Sequence, residues 1–250
     1  MPATSARPQF PTRPSRGTSQ IGRIAGVRIE ANWTLVIAFV LIAATLSGSV
    51  LPVDDPGLGH GTYLAMAIIA TLAFFGCIVL HELGHALQAR REGLETDRVT
   101  LWLFGGVAQL RGGFPSAAAE FRIAVAGPAV TVMLIGLLLA VGHMPGLPVA
   151  IDGVVSWLSY INIFLLLFNL LPALPLDGGR VLRSALWARR GDFGSATRAA
   201  ADVSRVLAIF MIVLGVLGSF SSGVGGLWLA LLGWFLLSAG TTERRGVSAP

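Results

Sequence analysis

The five residues His81-Glu82-Leu83-Gly84-His85 have the types and spacing that can do hydrolytic chemistry. On a helix the two histidines lie one turn apart on one face, so both imidazoles can bind a single zinc ion. The glutamate between them can act as general base toward water activated by that ion. An apolar stretch from Tyr63 to Leu80 runs directly into the motif and is long enough to cross a bilayer. With 4 His in 250 residues, chance yields this pattern on the order of once in a thousand such chains. Either histidine alone would read as a buried side chain hydrogen-bonded within a helix bundle. The set resists that reading, because Glu82 is expensive to keep at membrane depth without a function.

The rest of the chain must place this motif. The sequence is 54% hydrophobic and 12% charged, with a mean hydropathy of +0.74. A soluble domain carries about 25% charged residues, so the composition indicates a multi-span membrane protein. Apolar runs fall at about 32–50, 62–89, 121–143, 154–172, 203–220 and 226–240. The net charge is +5, and all 18 basic residues are arginine. Every arginine lies before the first run, between or bordering the second and third, between the fourth and fifth, or after the sixth. The loops around Asp54, Asp152 and Ser222 contain none. This alternation predicts six spans with both termini cytoplasmic in the cell (plasma) membrane. It also accounts for the basic charge better than nucleic acid does, so no nucleic-acid partner is expected.

The expected fold class is an all-α polytopic membrane protein with six transmembrane helices. Residues 1–20, rich in Pro, Ser, Thr and Arg, read as a disordered cytoplasmic arm. Residues 21–242 form one membrane domain, and 243–250 a short cytoplasmic tail. The β-prone run Arg98-Val99-Thr100-Leu101-Trp102-Leu103-Phe104, followed by Gly105-Gly106 and Val107-Ala108-Gln109-Leu110, predicts a small re-entrant hairpin near the motif. It reads equally as an exposed edge that captures an extended substrate and as a structural hairpin under the helices. Ala126-Gly127-Pro128-Ala129 is assigned to helix packing.

A hydrolytic zinc site takes three protein ligands and leaves one position open. Cys77 is one turn up the same helix, and His60 and His143 fall at the opposite ends of their spans. The best third ligand is Asp177, in Asn169-Leu170-Leu171-Pro172-Ala173-Leu174-Pro175-Leu176-Asp177-Gly178-Gly179-Arg180. It follows the fourth run at the same depth as His81 and His85. Its plain alternative is a helix N-cap. Two prolines and two glycines favour a broken helix, which a membrane tolerates only where it is buried in protein or lines a polar cavity.

These motifs together resemble the site-2 protease family of intramembrane zinc metalloproteases. The residues carrying the resemblance are His81-Glu82-Leu83-Gly84-His85, Asn169-Leu170-Leu171-Pro172 and Pro175-Leu176-Asp177-Gly178-Gly179. Leu103-Phe104-Gly105-Gly106-Val107-Ala108, Ala126-Gly127-Pro128-Ala129 and the start, Gly22-Arg23-Ile24-Ala25-Gly26-Val27-Arg28-Ile29 before Asn32-Trp33, also resemble it. The resemblance implies one zinc ion held by His81, His85 and Asp177, with Glu82 as the catalytic glutamate. It implies Asn169 near the scissile bond, where the bland alternative is a helix–helix hydrogen bond. The implied substrate is a transmembrane protein, such as an anti-sigma factor, a pro-sigma factor or a signal-peptide remnant. The chain resembles the compact branch without PDZ or CBS domains. A zinc transporter is the alternative from another class, but the spans hold almost no other ionisable residues to line a route.

Overall fold

The structure is a computed structural model that describes residues 17–102, 105–111, 113–222 and 224–248. It opens with a hairpin of β1 (Thr18–Ile24) and β2 (Val27–Asn32). Ala25 (φ 49°) and Gly26 (φ 78°) both take positive φ, the backbone that a two-residue hairpin turn needs to match strand twist. Helix α1 (Thr34–Thr45) continues through one π turn (Leu46–Val50) into the short α2 (Leu51–Asp54). Helix α3 (His60–Arg91) carries the histidine motif. Strands β3 (Glu95–Trp102) and β4 (Gly105–Arg111) follow, then α4 (Ala117–Gly142) and α5 (Val149–Asn169). The chain ends in α6 (Asp177–Arg190), α7 (Phe193–Ser222) and α8 (Val224–Ser248).

Five stretches are helical, long and apolar enough to cross a membrane: Thr34–Asp54, His60–Arg91, Ala117–Gly142, Val149–Asn169 and Phe193–Phe220. The expected sixth run is a shorter apolar helix, Gly225–Thr241, within α8. Large apolar side chains on these helices face outward, among them Leu41, Leu72, Leu137 and Leu167 at about 60% exposure each. Apolar surface on that scale marks a membrane-facing exterior, and helices satisfy their backbone polar groups internally there. The chain is thus a multi-pass membrane protein. Small residues fill the seams between helices, as Ala43, Ala67 and Ala70 do beside Leu46 and Leu51.

The all-α expectation needs correction. The hairpin expected at 98–110 is present as antiparallel β3 and β4, but it belongs to a four-stranded sheet of order β1-β2-β3-β4. β2 pairs parallel with β3, Arg28 opposite Arg98 and Ala31 opposite Leu101. That pairing closes over all of α1 to α3, so no local sequence signal announces it. Alternation supplies the reason the sheet sits where it does. Val27, Ile29, Val99 and Leu101 point to one face and pack on Ile78, Leu83 and Ala86 of α3. Of the two hairpin strands, β3 is interior along Arg98–Leu101, and β4 forms an edge of the sheet. Leu103 and Phe104 lie outside the described residues, as do residues 1–16 of the expected arm. Thr18–Gln20, placed in that arm, are instead part of β1. Residues 243–248 of the expected tail continue α8.

Two contacts set α4 against α3. At the ends of the helices, Arg122 donates to both oxygens of Glu92, at 2.6 and 2.7 Å, and these hydrogen bonds hold the Glu92 carboxyl below its ordinary pKa. Within the motif itself, a Cβ at Gly84 would meet the Ala126 carbonyl oxygen at 2.8 Å and Val130 Cγ2 at 2.9 Å. The substitution Gly84→Val should therefore push the helices apart and lower stability by about 1–3 kcal/mol. Thermal unfolding in detergent checks it, and an unchanged midpoint contradicts the close approach.

Candidate metal centre

His81 and His85 stand one turn apart on α3, both 4% exposed, and their rings meet edge-on with centroids 4.9 Å apart. Asp177 joins them as the first residue of α6, after the non-helical stretch 170–176 that separates α6 from α5. His81 Nε2 lies 3.1 Å from Asp177 Oδ2, His85 Nε2 3.2 Å from Asp177 Oδ1, and the two Nε2 atoms 3.2 Å from each other. Zinc bonds of about 2.0–2.2 Å in a tetrahedron place neighbouring ligand atoms about 3.3 Å apart. The two imidazole nitrogens are spaced as neighbouring ligands of one ion, and each has a different oxygen of the Asp177 carboxylate at a similar distance.

The outer partners of the imidazoles decide which nitrogen faces inward. His85 Nδ1 is 2.7 Å from the Ile123 carbonyl oxygen. A carbonyl only accepts, so Nδ1 carries the proton and Nε2 presents a lone pair. His81 Nδ1 is 2.8 Å from Thr131 Oγ1, whose hydroxyl reaches the Gly127 carbonyl oxygen at 3.4 Å. With its proton directed to that carbonyl, the Thr131 hydroxyl accepts from His81 Nδ1. Two imidazole lone pairs and a carboxylate thus converge in a buried space. Metal-ligating histidines characteristically donate their other nitrogen in this way, and the donor set suits zinc. Among the described residues this is the one group of His, Cys, Asp and Glu side chains arranged to hold a metal ion.

Glycines make room for it. A Cβ at Gly127 would fall against His85 Nε2 and lie 2.8 Å from His81 Nε2. The bare backbone of α4 is therefore a wall of the site as well as a packing surface. Gly178 and Gly179 abut the backbone of Leu170, Leu171, Ala173 and Leu174, so any side chain there would displace the start of α6. The same loop is pinned from α7, where Ser204 Oγ accepts from the Leu174 N–H at 2.6 Å.

The sequence matches peptidase family M50 over residues 69–152 and 147–214, which contain His81, Glu82, His85, Asn169 and Asp177. The chain belongs to peptidase family M50. It is 38% identical over 237 residues to Rip3 of Mycobacterium tuberculosis, covering 93% of this chain and 60% of that protein. It is 32% identical over 195 residues to zinc metalloprotease MJ0392 of Methanocaldococcus jannaschii, covering 78% of this chain and 53% of that one. The chain thus spans a little over half the length of these relatives. Its structure resembles the solved site-2 protease from Methanocaldococcus jannaschii, with a TM-score of 0.60, 29% identity and coverage of 91% of this chain and 95% of the other.

Within this M50 chain the remaining expected site residues are placed less closely. Glu82 is half-buried beside His81, and its carboxylate has no hydrogen-bond partner among the described residues. Asn169 is the last residue of α5, half-buried and likewise without one. Sequence reasoning missed Thr131, the Ile123 carbonyl and the role of Gly127 against the imidazoles. A threonine one turn after a glycine in an otherwise apolar span was the available signal. Removing the Thr131 hydroxyl by Thr131→Val should weaken zinc binding about 10- to 100-fold, and Gly127→Ala should block it. Zinc titration of the purified protein measures both; wild-type affinity in either variant contradicts the geometry.

Proposed function

We propose that this chain is a zinc-dependent endopeptidase that cuts transmembrane substrate proteins near the cytoplasmic face, in regulated intramembrane proteolysis. The observation that carries the reading is the His81–His85–Asp177 triangle on the arginine-rich side of the spans. Family membership and the names of the relatives support it. The arginine pattern supports six spans, with Gly225–Thr241 as the sixth, and cytoplasmic termini in the cell membrane.

His81, His85 and Asp177 would hold one zinc ion, leaving one of four positions for the reaction. Zinc, when bound, supplies a Lewis acid that polarises a carbonyl and lowers the pKa of water toward about 7. Glu82 takes the proton from the attacking water and returns it to the leaving amine. Its carboxylate is suited to this, since no partner competes for it. Asn169 donates to the oxyanion as it forms. Ile78, one turn before His81, and Phe168, next to Asn169, line an apolar groove of about 460 Å³ between α1, α3, α5 and α8. Such a groove accepts an apolar segment of substrate and brings it to these residues.

The test is cleavage of a reconstituted single-span substrate. Glu82→Gln should keep a full complement of zinc and lose cleavage. Full activity in that variant sinks the proposal, and loss of zinc would move Glu82 into the ligand set. Asn169→Ala should lower the rate about 10²- to 10³-fold with zinc retained; an unchanged rate removes it from the oxyanion role.

A further inference from the structure

Asp177 reaches the histidines from a separate helix, and the stretch 170–176 before it has no regular structure, although Ser204 holds it at Leu174 and Gly178 and Gly179 pack on it. Something beyond the ligand itself must fix that helix. The strongest candidate is Arg183, on α6 and 4% exposed. Its guanidinium bonds one oxygen of Glu120 on α4 twice, through Nε at 2.7 Å and Nη2 at 2.6 Å. Nη1 reaches Glu243 on α8 at 3.2 Å. Phe193, at the start of α7, lies with its ring centroid 4.9 Å from the guanidinium carbon, and Phe114, just before α4, at 5.8 Å. One side chain therefore joins α6 to α4, α7 and α8.

Glu120 is fully buried, and its second oxygen has no hydrogen-bond partner. A carboxylate in that setting depends on its cation, and removing one member leaves a buried uncompensated charge. Glu120 also lies one residue-turn before Ile123, whose carbonyl orients His85, and on the same helix as Gly127 and Thr131. The clamp thus ties the helix that begins with the third ligand to the helix that orients the first two.

We infer that Arg183 is a positioning residue that, through Glu120, sets the distance between the Asp177 carboxylate and the two imidazoles. The inference rests on the metal-site reading above. Glu243, with its side chain 38% exposed, is the minor partner, since exposed ion pairs contribute little.

The test measures zinc dissociation and the visible spectrum of the cobalt-substituted protein, neither of which a merely structural role would move. The wild-type chain must first bind one zinc; if it does not, the metal-site reading fails instead. Arg183→Gln should weaken zinc binding about 10- to 100-fold, the range for partners behind the ligands, and change the cobalt spectrum. Arg183→Lys, which keeps the charge and loses the fork, should recover part of the affinity, and Glu243→Gln should bind as wild type. Glu120→Gln should weaken binding about tenfold with the fold retained. Wild-type zinc affinity in folded Arg183→Gln, or in Glu120→Gln where the first variant does not fold, overturns the inference. Unfolding of both variants also overturns it, because the pair would then hold the bundle and not the ligand.

Discussion

Two imidazole nitrogens and a carboxylate meet in one buried space. The Nε2 atoms of His81 and His85 and the carboxylate of Asp177 stand 3.1–3.2 Å apart. A single added proton would satisfy one edge of that triangle and leave the others repelling. A bound cation satisfies all three together, which is why desolvated donors of this kind coordinate metals. The outer hydrogen bonds to Ile123 and Thr131 favour a proton on each Nδ1, which turns each Nε2 toward the Asp177 carboxylate as a lone-pair donor.

That constraint explains the central position of α4, which supplies none of the three converging side chains. It supplies the Ile123 carbonyl, the Thr131 hydroxyl and a glycine wall at Gly127, and it touches both α3, which carries the histidines, and α6, which carries Asp177. Close approach between α3 and α4 at Gly84 and Ala126 brings those groups within reach of the imidazoles. Gly178 and Gly179 perform the equivalent service for α6 against the 170–174 backbone. Small residues act here as spacers of fixed length. In a bilayer this is the usual means of bringing helices together, because lipid offers no hydrophobic drive for helix association.

The parts legible in the sequence were those written in local spacing or in residue chemistry. His81, His85 and Asp177 converge as their types and depth implied, and five of the expected spans are helices of sufficient length. The hairpin at β3 and β4 was legible too, because β-branched residues and a Gly-Gly pair lie within one short segment. What stayed hidden was long-range. The β2–β3 pairing joins segments separated by three helices. The Arg183–Glu120 pair spans residues sixty-three apart, and an arginine between apolar runs reads by default as a solvated topology signal. Thr131 and Gly127 were visible as residues, but their partners depend on the angle of α4 about its own axis, which an apolar span without a polar face does not reveal.

The sheet adds a constraint on how an extended substrate can be held. Along Arg98–Leu101, β3 bonds β2 on one side and β4 on the other, so that stretch of backbone has no free rim to offer. Among the described strands the outer rims are those of β1 and β4. The end of β3 nevertheless reaches the apolar groove: Leu101 and Trp102 line it, and the Trp102 ring lies 6.1 Å from Phe235 of α8. An interior strand is rigid because both its edges are paired. β3 thus presents a fixed hairpin end to the groove, while its apolar face grips α3 around the histidine motif. Strand addition, where it occurs, must therefore use an outer rim, that of β1 or that of β4, and β4 like β3 lies directly against α3.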